Sequence, residues 1–490
     1  MMTGQAGPWS AFGHDARRAF TARWWTLLIG PAIHYETGEQ REMDRTQLVA
    51  AVRRGDSEAV TALLEAGAVP DTVADDGLPV LCLAVAAFDT AVACALVEGG
   101  ADPDRQLPDG TTPLIRAIEG GSPAMATAVL GREPRLRLAA ADREQLLALA
   151  RHWYERGAED ELQDRTGDHG PAGRTRVMDD DYNHVTQLTL GGVTVRGGHG
   201  AIRTNLEWAF RILTPVDELV ARAVAQREPD HVDWSSARWV LGERRSKETW
   251  SALTAYRHSP DPQHRLFVLD VLHAFLLSPS SRRNSYETET AELLVAWATD
   301  GEDDPGVLAD VLRVLSETEH PRSTDVGLRY AGHPAPPVRA QVPDLLLSWD
   351  TPPPPLGAAA RAALMVLAGD EDWGVRTEAG RAMIAAQDGS SDFRDIVIGL
   401  LRDPVAGVRA CIAEAVADSP DRSTAVADAL VSLLDEDDFG TRLDAAYGLL
   451  RRDHPHTGAA IDRVGPLHRP GFEHDHRVSA CWRWKWEHDR

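Results

Sequence analysis

Asp403-Pro404-Val405-Ala406-Gly407-Val408-Arg409 opens a run in which Ile412 and Val416 follow the arginine at helical spacing. The same signature returns on either side of it. Asp372-Trp373-Gly374-Val375-Arg376 precedes Ala379 and Met383, and Asp437-Asp438-Phe439-Gly440-Thr441-Arg442 precedes Ala445 and Leu449. With Pro336-Pro337-Val338-Arg339 upstream and His474-Asp475-His476-Arg477-Val478 downstream, the arginines are 37, 33, 33 and 35 residues apart. Asp261-Pro262-Gln263-His264-Arg265-Leu266 begins another copy 74 residues before Arg339, which leaves room for two repeats. A near-constant period of this length marks a stack of units, none of which buries its apolar face alone. Because the apolar residues recur at steps of three and four, each unit contains helices entered through an Asp/Pro loop.

These loops resemble the HEAT repeat, in the short variety that bilin lyases also use. The resemblance is good from about Pro336 to Arg452 and looser from Trp208 to Arg329 and in the tail. It implies paired helices in a superhelix, with Asp and Arg forming a ladder between repeats. Arginine suits that use, since its rigid fork of donors matches carboxylates and carbonyls. Arg376, Arg409 and Arg442 have Asp372, Asp403 and Asp438 as neighbouring carboxylates. The Pro352–Pro355 run reads as a stiff connection between repeats.

A second period lies nearer the N-terminus. Leu48, Leu81 and Leu114 are spaced by 33, as are Ala51, Ala84 and Ala117, and Leu64, Val97 and Leu130. Gly67-Ala68 and Gly100-Ala101 keep this interval, and so do Asp76-Gly77 and Asp109-Gly110. Asp-Gly suits a tight turn with positive φ, Thr112 can cap the helix that Pro113 opens, and Gly67 or Gly100 can close the second helix. Asp109-Gly110-Thr111-Thr112-Pro113-Leu114-Ile115-Arg116-Ala117 resembles the ankyrin repeat, over about residues 43–158. The family's usual histidine after Pro-Leu is replaced by Cys82 and Ile115, and Pro79 sits one place early. The helix from Ala124 to Leu130 ends the third copy, and Asp142 to Arg156 supplies a divergent fourth repeat or cap.

Between the arrays, Val185–Leu190 and Val193–Arg196 flank Gly191-Gly192 and read as a β-hairpin that must pack on a neighbour to be stable. The nearby glycines lack the register of a phosphate loop. The expected fold is therefore all-α: an α/α solenoid in which an ankyrin array is followed by a HEAT superhelix, with a small β-hairpin inserted. Its expected divisions are a poorly structured extension (1–42), ankyrin repeats (43–158), a linker with the hairpin (159–204), and HEAT repeats with a C-terminal cap (205–490). Translation starting at Met43 fits the first division. Arg17-Arg18-Ala19-Phe20 is loosely similar to a twin-arginine signal, but Arg23 interrupts the apolar run and no small-x-small cleavage site follows.

The 490 residues carry a net charge of −24, which opposes nonspecific binding to phosphate backbones and anionic lipid. Four cysteines without a C-x-x-C pair fit a reducing, cytoplasmic setting. The basic and aromatic stretch around Trp234, Trp239, Trp250, Arg238, Arg244, Arg245 and Lys247 reads as core and surface packing. His468, His474, His476 and His488 lack the order of a metal site, and Cys481–Trp486 reads as a cap on the last apolar interface. The acidic clusters Asp179–Asp181, Asp300–Asp304 and Asp435–Asp438 read as solvated loop charge.

No catalytic, cofactor-binding or metal-ligating residue is assigned, and no cofactor is expected. The resulting expectation is a non-enzymatic scaffold with a protein partner, not nucleic acid or membrane; the rival is a lyase-like or modifying enzyme that uses the HEAT solenoid as a substrate cradle. Val73, Asp75, Leu83, Arg105, Gln106 and Arg116 are the candidate contacts on the first array, with interhelix packing the simpler role for Leu83. Residues 285–450 contain 30 acidic and 12 basic residues, so the HEAT partner is expected to be basic or Arg-rich, drawn by Asp304, Glu371 and Glu436 on the repeat loops.

Overall fold

A computed structural model describes residues 38–277, 286–348, 350 and 353–488. The expectations placed on residues 1–37, among them packing by Trp24, Trp25 and Leu27, lie outside the described residues. The chain divides into two compact units, one up to Ser285 and one from Tyr286. The expected divisions after 158 and after 204 both fall inside the first unit. Each unit is built from stacked helix pairs.

The first unit opens with α1 (Gly38–Arg54) and α2 (Ser57–Glu65), followed by α3 (Val80–Ala87) and α4 (Thr90–Glu98), then α5 (Pro113–Glu119) and α6 (Pro123–Leu130). The helix that the sequence places from Met43 thus begins by Gly38. The 33-residue columns become the core: Leu48, Leu81 and Leu114 are at most 1% exposed, and so are Ala51, Ala84 and Ala117. Each buried leucine stabilises by about 1.5–3 kcal/mol, while alanine lets the helices approach. Second helices start under side-chain caps, with Asp56, Asp89 and Ser122 accepting from Ala59, Val92 and Met125 N–H. At the turns Gly77 and Gly110 adopt φ of 82° and 80°, which glycine reaches without strain.

A four-residue α7 (Pro134–Arg137) leads to α8 (Ala140–Arg156) and α9 (Ala158–Thr166), and α9 occupies part of what the sequence reads as linker. The hairpin is present as β2 (His184–Leu190) and β3 (Val193–Arg196), with Gly191 and Gly192 both at positive φ. A third strand, β1 (Gly173–Met178), pairs antiparallel with β2 and was not foreseen. Its residues are almost wholly exposed, so they carry no inward-facing apolar alternation. Leu188, Leu190 and Val195 pack the sheet onto Trp153 and Leu162.

Asp179, expected in solvent, is buried instead. It accepts from Ser122 Oγ (2.6 Å), Ala124 N–H (2.9 Å) and Arg196 (2.9 Å), so it fastens the end of the sheet to the start of α6. The unit continues through α10 (His199–Ala209), α11 (Val216–Val224), α12 (Val232–Glu243), α13 (Lys247–Ala255) and α14 (Pro262–Leu277). Ile202, Leu206 and Phe210 of α10 join the core begun by α1.

The second unit runs α15 (Glu287–Asp300), α16 (Pro305–Ser316), α17 (Ser323–Tyr330), α18 (Pro336–Leu345), α19 (Ala358–Leu367), α20 (Trp373–Ala385), α21 (Ser391–Leu400), α22 (Ala406–Ala417), α23 (Thr424–Ser432), α24 (Phe439–Leu450), α25 (Thr457–Val464) and α26 (His476–His488). From α16 to α24 the even-numbered helices stack on one another, and each also packs against an odd-numbered neighbour. Apolar positions behind each loop arginine supply the contacts: Val375, Ala379 and Met383, Val408, Ile412 and Val416, and Leu443, Ala445 and Leu449 are all buried.

Candidate functional site

The arginines at the entries to α18, α20 and α22 share one geometry. Arg339 donates from Nε and Nη2 to the two oxygens of Asp370, both at 2.7 Å, and from Nη1 to the carbonyls of His333 and Pro334. Arg376 does the same with Asp403 (2.8 and 2.9 Å) and the carbonyls of Asp370 and Glu371. Arg409 repeats it with Glu436 (2.8 Å twice) and the carbonyls of Asp403 and Pro404. Each guanidinium therefore closes its own loop and grips the acid of the next one.

The partner acid differs from the sequence expectation at all three places, since Asp403 is held by Arg376 and Arg409 pairs with Glu436. Asp372 and Asp438 cap their own helices, accepting from Gly374 and Val375 N–H and from Thr441 N–H, and do not pair with Arg376 and Arg442. Arg442 finds carbonyls only, those of Glu436, Asp437 and Val464. The Arg376 guanidinium holds the Asp403 carboxyl below the usual carboxylate range, and Arg339 does so for Asp370. The partner helices carry a parallel set, Arg361 with Asp388 and Arg394 with Asp421.

Alignment on the ladder arginine exposes a second pattern. Two and five residues beyond it stand Gln341 and Asp344 on α18, Glu378 and Arg381 on α20, Cys411 and Glu414 on α22, and Asp444 and Tyr447 on α24. Asp344 and Glu414 are exposed, and Glu378 is half-buried. These groups feel one another across the stack. Crowding by neighbouring helices desolvates Asp344 and raises its pKa against the pull of Arg381, and Glu378 is raised by the same desolvation, helped by Asp344. Burial pushes Asp444 up to about 6 despite its ion pair with Arg477, with Glu414 and Asp475 adding repulsion. Arg381, Glu378, Glu414 and Asp444 all act on the Cys411 thiol. A mainly acidic strip, interrupted by Arg381 beside Glu378, thus runs from α18 to α24, where the first turn of α26 covers its end: Arg477 meets Asp444, and His476 packs edge-on against Tyr447.

Two of the loop acids expected to bind a partner also have structural roles. Asp304 caps α16 through Gly306 and Val307 N–H, and Glu436 is the ladder partner of Arg409. Glu371 is exposed. On the first array Val73 is half-buried, and its carbonyl accepts from Arg45; Asp75 is exposed and lies 3.8 Å from Arg45 and 3.7 Å from Arg53. Leu83 packs against the core. Arg105 ties the Asp71 carbonyl, Gln106 is exposed, and Arg116 binds Asp109 (2.8 Å) and Thr111, which braces its turn. Asp75 and Gln106 lie outside helices, whereas Arg116 belongs to α5 and braces the turn before it.

Other chemically suggestive groups have structural partners. Trp234 is buried and donates to Asp270, whereas Trp239 is 53% exposed. In the tail Cys481 is buried and Trp484 touches Gly458, but Trp482 and Trp486 are 54% and 60% exposed, so only part of the expected cap is apolar cover. His184, Glu228 and Asp230 converge closely enough to offer one ligand atom each to a cation. Arg176 Nη2 lies 2.6 Å from Asp230 and 2.9 Å from His184, so a guanidinium already supplies the positive charge there. The buried Asp233, pushed up to about 7 by desolvation, accepts from Ala201 N–H and lies 3.8 Å from His231.

This arrangement is that of an α/α solenoid whose second unit includes HEAT repeats: residues 360–450 match the HEAT-repeat family model. Such repeats generally serve as scaffolds for protein interaction. Among solved structures the chain is similar to YibA of Escherichia coli, a structural-genomics target, at 16% identity over 51% of this chain and 92% of that one, with a TM-score of 0.38. No curated protein matches the chain. Among the described residues no helix is long and apolar enough to cross a membrane.

Proposed function

We propose that the protein is a non-enzymatic adaptor that holds a basic, Arg-rich segment of a protein partner along the acidic strip of its second unit. The observation that carries this reading is the row Asp344, Glu378 and Glu414, set by the ladder on alternate helices, with Asp444 at its end already paired to Arg477. A row in which carboxylates outnumber the single Arg381 steers a cationic ligand toward it, and the guanidinium fork pairs well with spaced carboxylates. The first array, which resembles ankyrin repeats, offers Asp75 and Gln106 outside its helices, with Arg116 of α5, as a second contact surface.

A fluorescent nona-arginine peptide measured by anisotropy tests the reading. Binding is expected to weaken as salt rises, because the Debye length shrinks. Changing Asp344, Glu378 and Glu414 together to Asn, Gln and Gln is expected to weaken it about tenfold or more. The pH sign follows from the raised carboxyl pKa values. Asp344 and Glu378 take up protons at higher pH than ordinary carboxylates, and Asp444 does so at about 6, so affinity at constant ionic strength is expected to drop as pH is lowered from 7.5 to 5.5. Salt-independent binding, or a triple variant with unchanged affinity, would refute the strip as the contact surface.

A further inference from the structure

Helix α10 ends in a turn that glycine normally closes. Arg211 N–H donates to the Trp208 carbonyl (3.0 Å) and Ile212 N–H to the Glu207 carbonyl (2.8 Å), which puts Arg211 at the left-handed position of the turn, with φ of 64°. A Cβ is strained there, so the arginine stands against a local preference for glycine. Its side chain is exposed and lies over the Trp208 ring, 5.7 Å from the centroid. The two residues that follow are apolar and face water, Ile212 at 42% and Leu213 at 78% exposure. Trp239 of α12 is exposed too and meets Trp208 edge-on, with ring centroids 6.2 Å apart. The two indoles and the loop thus form an apolar surface across the packed ends of α10 and α12.

Charge narrows what this surface accepts. A second guanidinium, Arg244, also lies 5.7 Å from the Trp208 centroid; it is buried, donates to the Thr214 carbonyl and keeps its Nε without a partner. Among the described residues no carboxylate pairs with Arg211 or Arg244, and Glu207, which acts on Arg244, is already held by Arg222 and Arg203. Glu243, exposed one turn past Trp239, offsets only part of the two positive charges. Apolar cover with a carboxylate at Arg211 would complete the surface. Single-stranded nucleic acid fits less well, since the net charge of −24 repels a run of phosphates and the aliphatic Ile212 and Leu213 offer no stacking plane to a base.

We infer that this surface docks a short apolar segment of a partner protein that carries a carboxylate, its aliphatic side chains against Trp239, Ile212 and Leu213 and its carboxylate on Arg211. The surface lies within the first unit and is independent of the acidic strip. The end-blocked, fluorescein-labelled peptide Ser-Gly-Leu-Leu-Glu-Leu-Gly-Ser and its copy with Gln in place of Glu, measured by anisotropy on the full chain, test it. The Glu peptide is expected to bind saturably and about tenfold more tightly than the Gln peptide. Trp239→Ser, at an exposed side chain, is expected to abolish binding of both. Arg211→Gly is expected to make the two peptides bind equally weakly, while its melting temperature stays at or above that of the parent because glycine relieves the turn. Absence of saturable Glu-peptide binding, a preference for Glu that survives Arg211→Gly, a lower melting temperature in that variant, or unchanged affinity in Trp239→Ser would overturn the proposal. So would displacement of the Glu peptide by oligothymidine, or self-association in sedimentation that Trp239→Ser abolishes.

Discussion

Replacing Arg222 by alanine is expected to destabilise the first unit by about 3–5 kcal/mol, the range for breaking a buried ion pair. Arg222 and Glu207 are 3% and 7% exposed and pair through two contacts, 2.6 and 3.1 Å. Thr214 Oγ1 (2.6 Å) and Arg203 (3.0 Å) fill the remaining acceptor sites of Glu207. Desolvation would raise this carboxyl, but the hydrogen bond from Arg222 and its charge outweigh that and keep it ionised. Alanine removes the buried counterion that makes two contacts and leaves the Glu207 charge with Arg203 and Thr214 alone, so the cost is that of a buried carboxylate stripped of its main partner. Calorimetric melting of the variant, beside the double change Arg222→Met with Glu207→Leu, separates the terms. The double variant is expected to recover most of the loss, because both charges leave together. A single variant that melts within about 2 °C of the parent would contradict the assignment.

Arg376→Ala is expected to cost the second unit about 2–3 kcal/mol, and Arg442→Ala only about 1 kcal/mol, although the two occupy equivalent positions. The difference lies in what each leaves behind. Arg376 abandons a carboxylate, Asp403, that is 6% exposed, whereas Arg442 abandons carbonyls that water can reach at the array's edge. Arg376→Lys is expected to recover only part of the loss, since an ammonium cannot span both oxygens of Asp403 while reaching the carbonyls of Asp370 and Glu371. Urea unfolding followed by tryptophan fluorescence ranks the three variants. Equal losses for Arg376 and Arg442 would remove the carboxylate from the account.

The ladder was legible in the sequence as a recurring arginine, because its spacing repeats with the helix pair. Its acid partners were not. Asp372 and Asp438 stand four residues before their arginines, which is where a helix needs a cap, and the carboxylate that pairs comes from the following loop. The strip was missed because loop acids attract notice first, while Asp344, Glu378 and Glu414 lie inside helices among apolar neighbours. Counting from the ladder arginine would have found them at two and five residues beyond it. The hairpin declared itself through Gly191-Gly192, but β1 did not, since Gly173–Met178 borrows its order from β2 and buries almost nothing of its own. Likewise Asp179 looked like solvent charge because its partners Ser122 and Arg196 lie far from it in the chain.

The direction of the ladder bears on how the second unit comes apart. Every rung from Arg339 to Arg409 ties a loop only to its successor, so removing one pair unclasps a single junction and leaves the others bonded. Opening should then advance one helix pair at a time, like a zip with graded teeth. The junction after Arg442 has no carboxylate in its grip, and hydrogen exchange in α25 and α26 should accordingly outpace exchange in α20 and α22. A partner lying along the strip from α18 to α24 would bridge several teeth at once, and protection would then spread together over helices that otherwise exchange independently.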